Sequence, residues 1–148
     1  MTEISTDRSR VDVEWVWRRL RETYWSPGIR RDVVERAIAH SMVAGAYESG
    51  GGRQVGFARA VTDYATFAWV CDVVVDEGWR GRGLARGMIL AMMADPGVRT
   101  LRRWCLATRD AHGVYTPLGF RPVAADRWME RVSDPSAWRD GGPPADHA

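Results

Sequence analysis

Apolar residues recur at Val13, Val16, Trp17 and Leu20, the i, i+3, i+4, i+7 spacing of one helix face. They predict a first helix of about a dozen residues. "YWSPG" ends it, since Pro27 and Gly28 do not continue a helix. Val33, Val34, Ala37 and Ile38 predict a second short helix ending near His40. "SMVAGAYE" reads as a strand, and "SGGGR" as the hairpin connection after it. "QVGFARAVT" alternates, with Val55, Phe57 and Val61 on one face and Gly56, Ala58 and Ala60 on the other. Small residues on that second face let a bulky partner approach closely. "TFAWVCDVVV", residues 66–75, is nearly continuous apolar sequence rich in β-branched residues, the pattern of a central strand covered on both faces. A helix from about Gly83 to Ala94 follows, with Leu84, Met88 and Met92 spaced by four, and Asp95–Gly97 ends it. "RRWCLAT" is another strand, "RDAHGVYTPLG" a short helix with a glycine exit, and "RWMERV" a last strand. No internal repeat or linker interrupts the order. The expectation is one α/β domain on a mixed sheet over residues 1–132, with a flexible C-terminal tail over 133–148.

Composition narrows the function classes. The chain has 148 residues, 21 basic and 19 acidic, and every basic residue is arginine. These arginines are spread along the sequence, so no basic face points to nucleic acid. Cys71 and Cys105 lie inside apolar stretches and read as buried thiols; no C-x-x-C or histidine cluster offers a metal site. The polar start "MTEISTDRSR" has no hydrophobic signal region, and no apolar run approaches the ~20 residues of a membrane span. A cytoplasmic protein without a membrane partner is expected.

"WRGRGLAR", residues 79–86, joins the apolar strand to the next helix and changes this bland picture. Unpaired N–H groups begin every helix, and the macrodipole adds roughly half a positive charge there. Gly81 and Gly83 place no Cβ in an anion's way, while Arg80, Arg82 and Arg86 supply charge-assisted donors. A phosphate or diphosphate fits; a glycine-rich turn with solvated arginines is the other reading. The P-loop pattern is excluded because the chain has no lysine, and the dinucleotide pattern G-x-G-x-x-G would need glycine where Arg86 stands.

The wider pattern favours the anion seat. "VVVDEGWRGRGLA" resembles the acyl-CoA signature Q/R-x-x-G-x-G/A of the GCN5-related N-acetyltransferases, with Arg80, Gly83 and Ala85 in its positions. "AHGVYTPLGF" resembles that family's second signature, A-x-x-x-Y-x-x-x-G-F, through Ala111, Tyr115, Gly119 and Phe120. The resemblance covers roughly residues 10 to 131 and implies a mostly antiparallel mixed sheet splayed around acetyl-CoA. It implies that the backbone of Val73, Val74 and Val75 pairs with the pantetheine amides. The amides of Gly81, Arg82, Gly83, Leu84 and Ala85 would hold the diphosphate, with Arg80, Arg82 and Arg86 around it. Tyr115 maps onto the position from which the family commonly supplies a proton to the leaving thiolate. One departure is Thr108, where many members carry asparagine.

The general base stays open at this level. Asp72 interrupts an apolar strand, where burial would raise its pKa, but it reads equally as a structural carboxylate. Asp63 and Tyr64, between two strands, compete with it. His112 reads as a half-exposed helix residue, and His40 as a helix-end cation. In the resembling family the first two helices and their loop form the acceptor side. Here that loop holds Tyr24, Trp25 and Pro27, a pocket wall suited to an apolar or aromatic amine, and the hairpin tip adds Asp63 and Tyr64 as acceptor-binding candidates. The implied activity is acetyl transfer from acetyl-CoA to a primary amine, on a small molecule or peptide, by direct transfer without a covalent enzyme intermediate. The alternative is an acyl-CoA-binding module without turnover. Homodimers are common in that family.

Overall fold

The computed structural model describes residues 1–141. Five strands form one sheet in the order β1-β2-β3-β4-β5. β1 (Thr2–Ser5), β2 (Met42–Glu48), β3 (Gln54–Thr62) and β4 (Phe67–Val75) are successive antiparallel neighbours, and β5 (Arg103–Cys105) runs parallel to β4. Helices α1 (Val13–Leu20) and α2 (Arg31–Ala39) pack on one face and α3 (Leu84–Met93) on the other; α4 (His112–Tyr115) follows β5. This is the mixed α/β sheet that the sequence pattern predicts.

Two cores sandwich the sheet. Leu84, Met88, Ile89 and Met92 of α3 are buried against Ala46, Ala58, Ala60 and Val70. The small face of β3 admits them: a Cβ built on Gly56 would lie 3.0 Å from Ala46 Cβ and 3.1 Å from Met88 Cε. On the other face Trp15, Val16, Leu20, Val34 and Ile38 enclose Phe57 and Val43. Asp12 starts α1 by accepting from the Trp15 amide at 3.1 Å, and Trp17 Nε1 donates to the Ile29 carbonyl at 2.9 Å. That bond ties α1 to the approach to α2; α1 itself is 8 residues long, shorter than its apolar spacing predicts.

Several expectations are corrected. β1 escapes sequence reading because it is polar, and its pairing with β2 is a backbone event. Its Ile4 sits over Gly87, where a Cβ would lie 2.4 Å from Ile4 Cδ1. Val55 does not share a face with Phe57: a register shift opposite Ala46 and Tyr47 moves it into the α3 core, and Val61 is 46% exposed near the strand end. β4 is covered on both faces, but less completely than expected: Val73 and Val75 pack toward the α3 core and Val74 toward the other, while residues 71–75 stay only partly buried. "RWMERV" forms no strand, and Met129 and Val132 are exposed. Adjacent apolar Trp128 and Met129 would fall on opposite faces of a strand; instead Trp128 packs its ring 5.8 Å from that of Trp69.

The segment expected as a flexible tail makes specific contacts over its first half. Pro135–Ala137 form a 3-10 turn capped by Asp134, and Ile29 and Arg139 form an antiparallel bridge. The Arg30 amide donates to the Trp138 carbonyl at 2.9 Å, and the Asp140 amide to the Gly28 carbonyl at 2.8 Å. The rest of the expected tail, residues 142–148, lies outside the described residues.

The α3 packing predicts a contrast along one helix. Met88→Ala, at a fully buried position, is expected to lower stability by about 2–5 kcal/mol. Leu90→Ala, on the exposed side, is expected to stay within about 0.5 kcal/mol of the parent. Urea unfolding checks both through the midpoint at unchanged slope.

Candidate active site

Pairing between β4 and β5 covers only Phe67–Trp69 against Arg103–Cys105, and beyond Trp69 the two strands part. The cause lies on the other edge of β4. Phe57 pairs with Val74 and Arg59 with Cys71, so Asp72 and Val73 together oppose the single residue Ala58. This is a bulge, which bends a strand and increases its twist. Asp72 adopts φ +53°, left-handed backbone that costs a non-glycine residue about 1–3 kcal/mol. Its side chain is held on both oxygens. Arg59 Nε donates to Oδ2 at 2.8 Å and Trp25 Nε1 to Oδ1 at 3.0 Å, while Arg59 Nη1 reaches Ser41 Oγ at 3.1 Å. Val73 and Val75 pack toward the α3 core and Val74 toward the other, which leaves the backbone edge facing β5 without a strand partner.

That open edge leads into the glycine–arginine loop. Gly81 and Gly83 both adopt φ +76°, which side chains rarely tolerate, and nothing lies within 4 Å of a Cβ built on either. Gly83 is the N-cap of α3 and provides no side-chain cap, so the helix presents uncapped amides beside bare backbone. Leu84 is buried and anchors the helix start. Arg80 Nε donates to the Val75 carbonyl at 3.2 Å; Arg82 donates to the Gly78 carbonyl at 3.3 Å and lies 4.6 Å over the Trp79 ring. Their charges are therefore held close to the loop, and Arg86 is exposed on the first turn of α3. Asp76, a half-buried carboxylate nearby, is paired with Arg19 at 2.7 Å and Arg53 at 2.9 Å. Sequence reading missed this pair of partners, since they come from residues 57 and 23 positions away. Open backbone, helix amides and surplus guanidinium suit a diphosphate.

Tyr115 closes α4, half-buried and packed edge-on to Phe120 at 5.9 Å. Burial pushes its phenol above the ordinary value, so it keeps its proton at neutral pH. Thr108 accepts from the Ala111 amide at 2.9 Å and so organises the start of α4. Tyr115 and His112 line a cleft of about 1220 Å³ beside β5 and the segment after α4.

Tyr24 and Trp25 project from the α1–α2 loop. Trp25 holds Asp72, and the Tyr24 ring meets Trp25 edge-on at 5.0 Å. The Arg109 amide donates to Tyr24 Oη at 3.3 Å, and its guanidinium lies 3.8 Å over the Tyr24 ring. The loop therefore touches both arms of the divergence. Beneath it is a cavity of about 400 Å³ between α2 and the β3–β4 surface, with Asp72, Arg59 and Cys71 in its lining. Trp138 also lines it, a residue that sequence reading assigned to a tail. Burial pushes the Cys71 thiol up to about 12.

Asp63 and Tyr64 are not brought to this site. Asp63 accepts from Thr66 Oγ1 at 2.6 Å and from the Thr66 and Ala65 amides at 2.7 and 2.9 Å. These bonds hold its carboxyl well below the usual range and dedicate it to the β3–β4 turn, where Tyr64 is exposed at φ +60°. The length of β4, roughly 26 Å at ~3.3 Å per residue, separates them from the glycine loop. Among the described residues no three His, Cys, Asp or Glu side chains gather as a metal site, and no helix is long and apolar enough to cross a membrane.

Comparison with known proteins places this geometry. No curated protein matches the chain. A solved GNAT-family acetyltransferase from Xanthomonas campestris pv. campestris is 43% identical over 90% of this chain and 94% of its own, with a TM-score of 0.83. An acetyltransferase from Clostridium acetobutylicum, solved with acetyl-CoA, is 19% identical over 89% and 96% with a TM-score of 0.68. The glucosamine-6-phosphate N-acetyltransferase of Arabidopsis thaliana is 15% identical over 90% and 99% with a TM-score of 0.64. The last two share the fold alone. The family model of the acetyltransferase (GNAT) domain matches residues 39–122, the stretch from the end of α2 through β2–β5, the glycine loop and the tyrosine turn. With that match spanning more than half its length, the chain belongs to the GNAT acetyltransferase family.

Proposed function

We propose that the protein is an N-acetyltransferase that moves the acetyl group of acetyl-CoA directly to a primary amine held beside it. The observation that carries this reading is the continuity of the unpaired β4 edge at Val73–Val75 with the uncapped start of α3 at Gly83. Acetyl-CoA supplies an activated acetyl thioester when bound. The backbone of Val73, Val74 and Val75 would pair with its pantetheine amides. The amides from Gly81 to Ala85 would take its diphosphate, with Arg80, Arg82 and Arg86 neutralising charge. A fold neighbour solved with acetyl-CoA supports the cofactor class.

The side chains divide the proton work. Tyr115 keeps its phenolic proton through neutral pH and would donate it to the departing sulfur. Asp72 would orient the amine and receive its proton. Each Asp72 oxygen already accepts one hydrogen bond and retains a second lone pair. Asp63 and Tyr64 are committed to their turn and leave Asp72 the better placed of the three. Cys71, kept as a thiol by burial, offers no nucleophile for a covalent acyl-enzyme, which favours direct transfer.

Ala85→Glu separates the anion seat from helix stability. No acidic residue occupies the first turn of α3, so glutamate there favours the free helix by about 0.3–1 kcal/mol. It also meets a diphosphate with like charge. The variant is expected to match or exceed the parent's melting temperature and to lose the acetyl-CoA shift, which for the parent at a hundred times Kd is about 2.7 kcal/mol. A full shift in the variant would remove the anion seat from this loop.

Tyr115→Phe is expected to lower kcat by about 100-fold or more at pH 8 while leaving acetyl-CoA affinity unchanged. A raised phenol pKa keeps the donor form complete below its ordinary value of ~10 and loses it only above. The parent's alkaline loss of kcat from this group therefore lies above pH ~10 and is absent from the variant. Unchanged turnover in the variant would assign Tyr115 to packing alone. For Asp72, Asn is the informative change because it tolerates left-handed backbone. Asp72→Asn is expected to fold and to lose at least about tenfold in kcat/KM for the amine, measured by release of free CoA.

A further inference from the structure

The acceptor cavity has a composition that selects among amines. Three indoles converge on it from separate parts of the chain: Trp25 from the α1–α2 loop, Trp69 from β4 and Trp138 from the docked C-terminal segment. The remaining wall is largely apolar, aliphatic where α2 supplies it and aromatic at Phe57. Its polar lining is sparse and mostly engaged. Ser26 Oγ donates to the Leu20 carbonyl at 2.9 Å and meets Thr23 Oγ1 at 2.9 Å. Arg59 is engaged with Asp72 and Ser41, and the Arg59–Asp72 pair, 16% and 11% exposed, is neutral as a unit.

We infer that this cavity takes a primary amine carrying one apolar group of about the size of an aromatic ring, with the nitrogen at Asp72. The assignment rests on the acetyl-transfer reading for its chemistry, but not for its binding. Indole faces and aliphatic walls favour an apolar substituent and tolerate the amine's charge before it loses its proton. The same low-polarity surroundings favour the neutral amine, the form that attacks. The cavity volume of about 400 Å³ lies toward the small end of the range for small-molecule sites.

Hydrophilic acceptors fail on the same surfaces. Each sugar hydroxyl buried here without a partner costs roughly tenfold in affinity. A phosphate would have to approach Asp72, the only carboxylate among the described residues of the lining. A polyamine would bury a second ammonium with no acid left to meet it, since Asp72 is already shared with Arg59. The fold neighbour that acts on a phosphorylated amino sugar therefore gives no guide to the acceptor of this chain.

The test measures binding and transfer separately on the full chain. Thermal shift and calorimetry with 2-phenylethylamine and tryptamine, against spermidine and glucosamine 6-phosphate, are run with and without acetyl-CoA. CoA release then gives kcat/KM for each amine. The expected result is a preference of at least about tenfold for the two aryl amines in both assays. Ala37→Phe, filling the cavity from α2, is expected to abolish their binding and to preserve the acetyl-CoA shift. Should that variant fail to fold, Trp138→Ala is expected to raise KM for the aryl amines at least about fivefold at unchanged acetyl-CoA affinity. Equal or better use of the hydrophilic amines overturns the inference, as does an acetyl-CoA shift with no aryl-amine binding. Aryl-amine binding that Ala37→Phe removes, in a protein that ignores acetyl-CoA, overturns the transfer reading and upholds the cavity assignment.

Discussion

A residue held in left-handed backbone persists only where its surroundings over-determine it, and Asp72 is such a residue. Its strain of about 1–3 kcal/mol is offset by a part-buried ion pair with Arg59 and an indole hydrogen bond from Trp25. Remove those contacts and the bulge loses its support. With the bulge go the twist of β4, its departure from β5 after Trp69 and the open backbone edge that leads to the glycine loop. The apolar cores supply most of the stability, as in any small domain. The bulge decides what shape that stability is used to hold.

The same contact draws the α1–α2 loop into the site. Trp25 is fixed by Asp72 on β4, Tyr24 packs against Trp25, and Arg109 from the far side of β5 reaches Tyr24 with its amide and guanidinium. One short loop thus touches both arms of the parted strands. From below, the loop is braced by the C-terminal segment through the Ile29–Arg139 bridge and the Arg21–Asp140 ion pair. A segment remote in sequence therefore shapes the wall nearest the proposed chemistry.

Local rules explain what the sequence disclosed. Gly81 and Gly83 were legible because positive φ at a strand-to-helix turn leaves few other residues available. The Gly56, Ala58, Ala60 face was legible because period-two alternation survives packing, and Met88 occupies the space it leaves. What escaped was non-local. β1 is recruited by its backbone and carries almost no apolar signal. Val55 changed cores through a one-residue register shift, which no pattern within β3 records. Asp63 competed with Asp72 as a candidate base, yet its own neighbours Ala65 and Thr66 consume it. "RWMERV" has strand-like composition without alternation, and the alternation decided the outcome.

Asp72 therefore answers to two demands, and they constrain each other. On the proposed reading it receives the acceptor amine, which asks for a carboxylate with lone pairs to spare. It also sets the divergence that frees Val73–Val75, which asks for a side chain short enough to hydrogen-bond locally at positive φ. Asparagine tolerates that backbone but offers one acceptor oxygen to the two donors Arg59 and Trp25, so only aspartate meets both demands in full. Glycine would relieve the strain but release Arg59 and Trp25, leaving a part-buried guanidinium without its carboxylate. An apolar side chain would forfeit both bonds and bear the backbone cost as well. On the proposed reading, acceptor preference would be easier to change at Trp138, Ala37 or Trp69, whose side chains line the cavity without holding the bulge. The floor of the cavity is fixed by the geometry of the β4 bulge, and its walls are free to vary.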